Sequence, residues 1–524
     1  MDKYVLIICI VLTLFSCKSV ERYNREVITL HSVADLQKDV DKVYSQLKKH
    51  HPKLYQYTSK SVLDYKIDSL KKSITKPINS RAFYKKIAPV LAHVRQGHIS
   101  VSSASKRFTR KESKELKKNK FEFYDLDFDY INDKLWIINT RGKDSSLVGS
   151  EVVKIENDNT SDLIKIYKTR YASDGYNKTL HNRSVGRYFA SLYYKDKGFV
   201  DSLTVTLKNK DSIYVKVLRR VPKKTKNQDS LKIKKKTRLA KTDKQLAKAK
   251  AKQLKRENKK RGYIAKRKEY NRNFSFIGKD STVAYMNIRS FTRTNYKRFY
   301  KESFKKIDSA KTNYLILDLR NNGGGRIAEI DYLYAYLTTK PYKFMEDSEV
   351  NSRLPIFKYL MSNTTSVGTK VVGGLFSPFI IAHNLVKTTK RDGKIYYKFK
   401  YSKEKEPNAL NFKGQIYVLI NGNSFSASSL ISTHLQANKR AIFVGEETGG
   451  AYNGCVAGIY KIYKLPTSQI KTRIGLMQIE APEKQTPDGY GVRANIKIEP
   501  TILDKLSRTD PELNWVLNDI YNQK

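Results

Sequence analysis

Residues 420–429 read Ile-Asn-Gly-Asn-Ser-Phe-Ser-Ala-Ser-Ser, and they follow an apolar run at 416–420. Such a run is a buried strand, and the helix-like stretch 426–436 starts where the small polar turn ends. A side chain on that turn stands at the carboxyl edge of a sheet, where α/β sites lie. Backbone N–H groups and the helix dipole point at the same place. This suits Ser426 as a nucleophile whose oxyanion product needs donors. Taken alone, the turn reads more readily as a serine-rich helix cap. Residues 317–325, Leu-Asp-Leu-Arg-Asn-Asn-Gly-Gly-Gly, lead a second apolar strand into three glycines. Glycine lets backbone N–H groups come close to a ligand, though a tight turn or a weak phosphate cradle is the other reading. No Lys-Ser/Thr pair follows, which argues against a Walker-type loop. Two further segments, 444–451 (Val-Gly-Glu-Glu-Thr-Gly-Gly-Ala) and 489–492 (Gly-Tyr-Gly-Val), are only turns in isolation.

In this order the four segments resemble peptidase family S41, the tail-specific proteases. Asp318, Arg320, Asn322, Gly324 and Gly325 fill its D-x-R-x-N-x-G-G motif. Ser424, Ser426, Ala427 and Ser428 fill S-x-S-A-S, and Gly445, Glu446, Thr448 and Gly450 fill G-E-x-T-x-G. The resemblance implies an α/β catalytic core of the ClpP/crotonase-like kind, an N-terminal helical domain and a PDZ-like α+β domain. It also implies serine-type peptide hydrolysis without a cofactor. One departure bears on mechanism. The family's Ser-Lys dyad places lysine directly after the third motif, where this chain has Ala451. The tricorn-like branch uses a histidine in a D-G-H-T segment instead, and Gln96-Gly97-His98-Ile99 keeps that histidine. The resemblance therefore implies His98 as general base and Asp488, just before the late Gly-Val, as the carboxylate that orients it, with Glu483 as the fallback. It implies an oxyanion hole from the Ala427 N–H with that of Gly324 or Gly325, and loop-bracing roles for Asp318, Arg320 and Glu446. The remaining histidines lack such context: His50-His51 precede Pro52 at a helix end, and His434 falls within a helix. No pair has zinc-ligand spacing, so no metal is expected.

The elements that must position these residues follow from periodicity and composition. Residues 31–105 repeat apolar positions at helical spacing, as in Leu36, Val40, Val43 and Leu47, and predict a helical domain. Residues 115–221 carry short strands with one or two helices, and 271–524 alternates strands at 284–288, 314–319, 416–420 and 441–445 with helices. Between them, 222–270 is rich in Lys and Arg and predicts a helical or disordered insertion.

At the start, Lys3 and the apolar run 4–15 form a segment too short to span a bilayer comfortably. Leu14-Phe15-Ser16-Cys17 resembles a bacterial lipobox, with Cys17 lipidated after removal of 1–16 and 17–30 as a tether. An ordinary signal peptide or a short anchor is the alternative. The expectation is an exported protein, lipid-anchored to a cell-envelope membrane. With Cys9 removed and Cys17 blocked, Cys455 would be the one free thiol.

The formal net charge of +52 favours anionic surfaces. It makes 222–268 either a solvated arm or a clamp on anionic lipid or envelope polysaccharide. Nucleic acid is not expected, since no recognition motif is present. Two other functions stay open on the sequence: an inactive relative that binds peptides, and an envelope-binding protein acting through the basic insertion.

Overall fold

The computed structural model describes residues 19–223, 241–265, 267–279 and 281–523. At its centre is a six-stranded sheet, ordered Arg272–Ile277, Val283–Ile288, Tyr314–Asp318, Gln415–Ile420, Ala441–Gly445, Ile496–Lys497. The first strand runs antiparallel to the second, and all later neighbours are parallel. The central strands read as unbroken apolar runs because both faces are covered. Leu315, Leu317, Val418 and Ile420 face the helices Tyr296–Ser309, Ile327–Tyr334 and Ala427–Ala437. Ile316, Tyr417 and Leu419 face the last helix, Pro511–Asn522, through Val516 and Ile520. Each such side chain is removed from water and contributes about 1.5–3 kcal/mol.

A second unit is an antiparallel seven-stranded sheet from Asn119–Phe121 to Ser212–Pro222. Three helices accompany it, Thr160–Lys168, Thr179–Arg187 and Phe189–Lys197, one more than the sequence suggested. Phe128, Ile137, Val152, Leu163 and Phe189 belong to its own core.

The N-terminal helices Val33–His50, Lys60–Lys72 and Ser80–Ala92 start where the Ser32, Ser59 and Asn79 side chains accept backbone N–H groups. Their core does not close within 31–105. Leu465, Ile470 and Ile474, from the far end of the chain, complete it. The strand Ser100–Ser102 pairs with Lys471–Ile479, whose other neighbour is Cys455–Lys464. Three short amphipathic helices bury too little apolar surface to stand alone, and the late hairpin supplies the rest.

The expected tether also differs. Val20–Ile28 is a helix, capped by Ser19, with Tyr23 and Val27 buried against Ala104. These two residues are four apart and share one helical face. In the basic insertion Lys241–Arg261 is helical, with Leu246 and Leu254 exposed, and Lys260 reaches Glu302 of the central unit at 2.6 Å. Residues 224–240 of the insertion lie outside the described residues, as do 1–18 with the lipobox.

Candidate active site

The strand Gln415–Ile420 ends in Asn421-Gly422-Asn423, and the helix Ala427–Ala437 begins directly after Ser426. Ser426 sits at φ +58°, ψ −117°, outside the regions L-residues favour. The bonds around it hold that conformation. Ser424 Oγ donates to the Leu319 carbonyl (2.8 Å) and accepts from Asn421 N (3.0 Å). Phe425 N and Ser428 Oγ both donate to the Asn322 carbonyl, at 3.0 and 2.8 Å. The serine turn and the glycine turn are thereby fastened together. Gly324 shows how closely: a Cβ there would lie 2.7 Å from Ser426 Cβ.

Charged side chains bond across these turns. Arg320 donates to Asp318 (2.8 Å) and to both oxygens of Asp510 (2.7 Å each), and Tyr285 donates to Asp318 at 2.7 Å. Glu446 receives Arg183 Nε at 2.6 Å, which ties the core to the helix Thr179–Arg187. Burial raises the Glu446 carboxyl and Arg183 opposes this, a structural ion pair.

His98 comes from a different part of the chain. Its Nε2 lies 3.1 Å from Ser426 Oγ, and its ring packs against Phe425 with centroids 5.0 Å apart. Its Nδ1 lies 3.2 Å from Tyr460 Oη on the strand Cys455–Lys464. Arg473 Nε donates to the His98 carbonyl at 3.1 Å, and its guanidinium stacks over Tyr460 at 4.8 Å. Burial, with a smaller push from Arg473, lowers the imidazole to about 3, so the resting ring is neutral.

Neither expected carboxylate meets this ring. Asp488 accepts from Gln56 Nε2 (2.9 Å) and from Gly489 N (2.7 Å), with Tyr57 Oη at 3.5 Å. Gln96 Nε2 donates to Gln56 Oε1 at 3.0 Å, so Asp488 reaches the histidine loop only through two side chains. Glu483 lies elsewhere, 3.3 Å from His434 Nδ1 and bonded to Asn438. Tyr460 occupies the position the orienting carboxylate was expected to hold. The expected oxyanion donors separate too. Gly324 N–H donates to Asn322 Oδ1 at 2.9 Å and is used up. Gly325 and Ala427 line the cavity beside Ser426.

That cavity, about 310 Å³, also touches Asp174, Ala451, Cys455 and Tyr460. Ala451 leaves no amine where the family's dyad lysine would stand. Asp174 had no sequence signal beyond a turn-forming Ser-Asp-Gly-Tyr-Asn stretch. It is fully buried, and its Oδ1 accepts from Gly97 N at 2.7 Å; the Ala451 backbone bonds to it as well. Its Oδ2 has no partner among the described residues, and burial pushes its carboxyl up to about 7. Beside it Gly175 N donates to Arg95 O (2.8 Å), and Asn177 Nδ2 donates to Thr448 O (2.9 Å). One loop of the second unit thus holds the histidine segment against the core. Among the described residues no His/Cys/Asp/Glu group could hold a metal ion.

With this geometry in view, the likeness to solved structures is informative at the level of fold. Mature CPAF complexed with lactacystin superposes with a TM-score of 0.60 at 14% identity, covering 93% of this chain and 97% of that one. A second structure of mature CPAF gives 0.58 at 14%, covering 93% and 96%. No curated protein matches in sequence. Residues 282–502 match the model of peptidase family S41.

Proposed function

We propose that this protein is a serine-type endopeptidase in which Ser426 attacks the scissile carbonyl and His98 is the general base. The observation that carries this reading is the 3.1 Å approach of His98 Nε2 to Ser426 Oγ at the mouth of a cavity. For Nε2 to take the serine proton, the ring proton must sit on Nδ1 and be accepted by Tyr460 Oη. Ser426 Oγ then bonds to the carbonyl carbon, and the oxyanion is met by N–H groups of Ala427 and Gly325. The proton passes from Nε2 to the departing amine, and water cleaves the acyl-enzyme by the reverse sequence. A phenol stabilises the imidazolium less than a carboxylate would, so exclusion of water and the fixed ring geometry carry more of the catalysis.

The helical N-terminal unit and a PDZ-like reading of the seven-stranded unit fit a site that receives extended polypeptide. The sequence features at 1–17 place the enzyme, in this proposal, on a cell-envelope membrane, acting on exported proteins or peptides. Labelling with a fluorophosphonate tests the chemistry. The unaltered protein should be labelled, Ser426→Ala should not, and His98→Ala should be labelled far more slowly. A well-folded protein that resists the reagent, or a Ser426→Ala variant that still takes it, would refute the assignment.

A further inference from the structure

The helices Val367–Leu375 and Ser377–Lys387 form an elbow bent by 71°. The segment 367–386 carries one charged residue, Lys370. Its large apolar side chains nonetheless point outward: Leu375 is 73% exposed, Phe379 74% and Val386 80%, with Val371, Val372 and Phe376 each more than half exposed. A patch of this kind marks an interaction surface rather than chance exposure. The elbow is firmly rooted. Ser362 and Thr364 side chains donate to the Ile462 carbonyl, and Asn363 exchanges bonds with Lys464 at 2.7 and 2.9 Å.

We infer that this elbow is a membrane-docking device that seats its apolar side chains among the acyl chains of an anionic lipid surface. Its dimensions favour insertion over spanning. Helices of 9 and 11 residues reach only about 14 and 17 Å, roughly half the hydrocarbon thickness. The charge around it is complementary to lipid headgroups. Lys370 and Lys387 make no ion pair among the described residues, and Lys390 is exposed beside them. On the adjoining elements, Lys358, Lys461 and Lys49 are close enough that the first and last help burial to pull the Lys461 ammonium down. His50, 3.0 Å from Lys461, is held neutral by burial and by these lysines. An apolar tip with basic flanks is the pattern of interfacial helices. Polar side chains on the elbow are few: Asn384 is buried and bonded to Ile356 N, and Thr369 and His383 are exposed among the apolar residues.

The test uses the full chain carrying Phe379→Trp, mixed with vesicles of phosphatidylcholine and phosphatidylglycerol with or without brominated acyl chains. The apolar segment at 4–15 can itself hold the protein on vesicles, so co-flotation is not the readout. The new indole should shift to the blue and be quenched by brominated lipid beyond the signal of the unaltered protein, which has two tryptophans. Adding Leu375→Asp and Val386→Asp should abolish both changes. An unshifted, unquenched indole on vesicle-bound protein would overturn the proposal. A blue shift without lipid that grows with protein concentration would also overturn it, in favour of a second copy as occupant. Equal quenching on phosphatidylcholine alone would overturn the requirement for anionic lipid.

Discussion

The two halves of the candidate site are built differently. Ser426 is held by its own neighbourhood: adjacent strands of one sheet, their turns, and side chains such as Ser424, Ser428 and Asn322 that bond across a few ångströms. His98 is held by strangers. Asp174, from the second unit, fixes its loop, and Tyr460 and Arg473, both from the late hairpin, face its Nδ1 and bond its carbonyl. The placement of Ser426 is therefore a property of one domain, and that of His98 a property of how three regions meet. Damage to the first should register as lost stability of the core, and damage to the second as lost rate in a folded protein.

The largest effect that would sharpen this contrast is on rate. His98→Ala should lower kcat by about 10²- to 10⁴-fold while urea midpoints move little; a collapse of the fold would break the distinction. Arg320→Ala should act on stability instead. It strands Asp318, Asp510 and the buried Glu512, and removal of one partner from such a cluster costs about 3 kcal/mol, read by urea unfolding. Tyr460→Phe should reduce kcat by about tenfold with KM unchanged, the worth of one orienting hydrogen bond. Asp488→Asn should change kcat/KM by less than about threefold, since this side chain supports the histidine loop only at second hand. A loss as large as that of His98→Ala would restore Asp488 as the third member.

The pH dependence separates the halves again. Burial lowers the His98 ring to about 3, so it stays neutral as pH falls through the ordinary histidine range. The acid limb of kcat/KM should lie well below pH 6.5. Burial pushes the Asp174 carboxyl up to about 7, and a break it causes there should disappear in Asp174→Asn while the lower limb remains.

What could be read beforehand follows the same division. The strand, turn and helix around Ser426 were legible because continuous apolar runs, small residues and a helix start lie next to one another in sequence. The ends of Gln415–Ile420 and Ala441–Gly445 fall within a residue of where the runs end. The surroundings of His98 were not legible in that way. Tyr460 is 362 residues from it and Arg473 is 375, and no local pattern marks either. Asp488 was placed by analogy with a motif, and the structure gives its oxygens to Gln56 and Gly489. The same blindness made residues 31–105 look self-contained, because nothing in Leu465 or Ile474 announces which helices they complete.

The late hairpin that closes the first helical core carries a consequence for how the molecule comes into being. His98 is made early, and 328 residues must follow before Ser426 exists. At about 5–20 residues per second, that is a delay of tens of seconds. Throughout it, and until Tyr460 and Ile474 have emerged, the helices lack part of their core and His98 has no partner for its Nδ1. An unfinished or truncated chain therefore lacks the Ser426–His98 pair, which is complete only with the last fifth of the polypeptide.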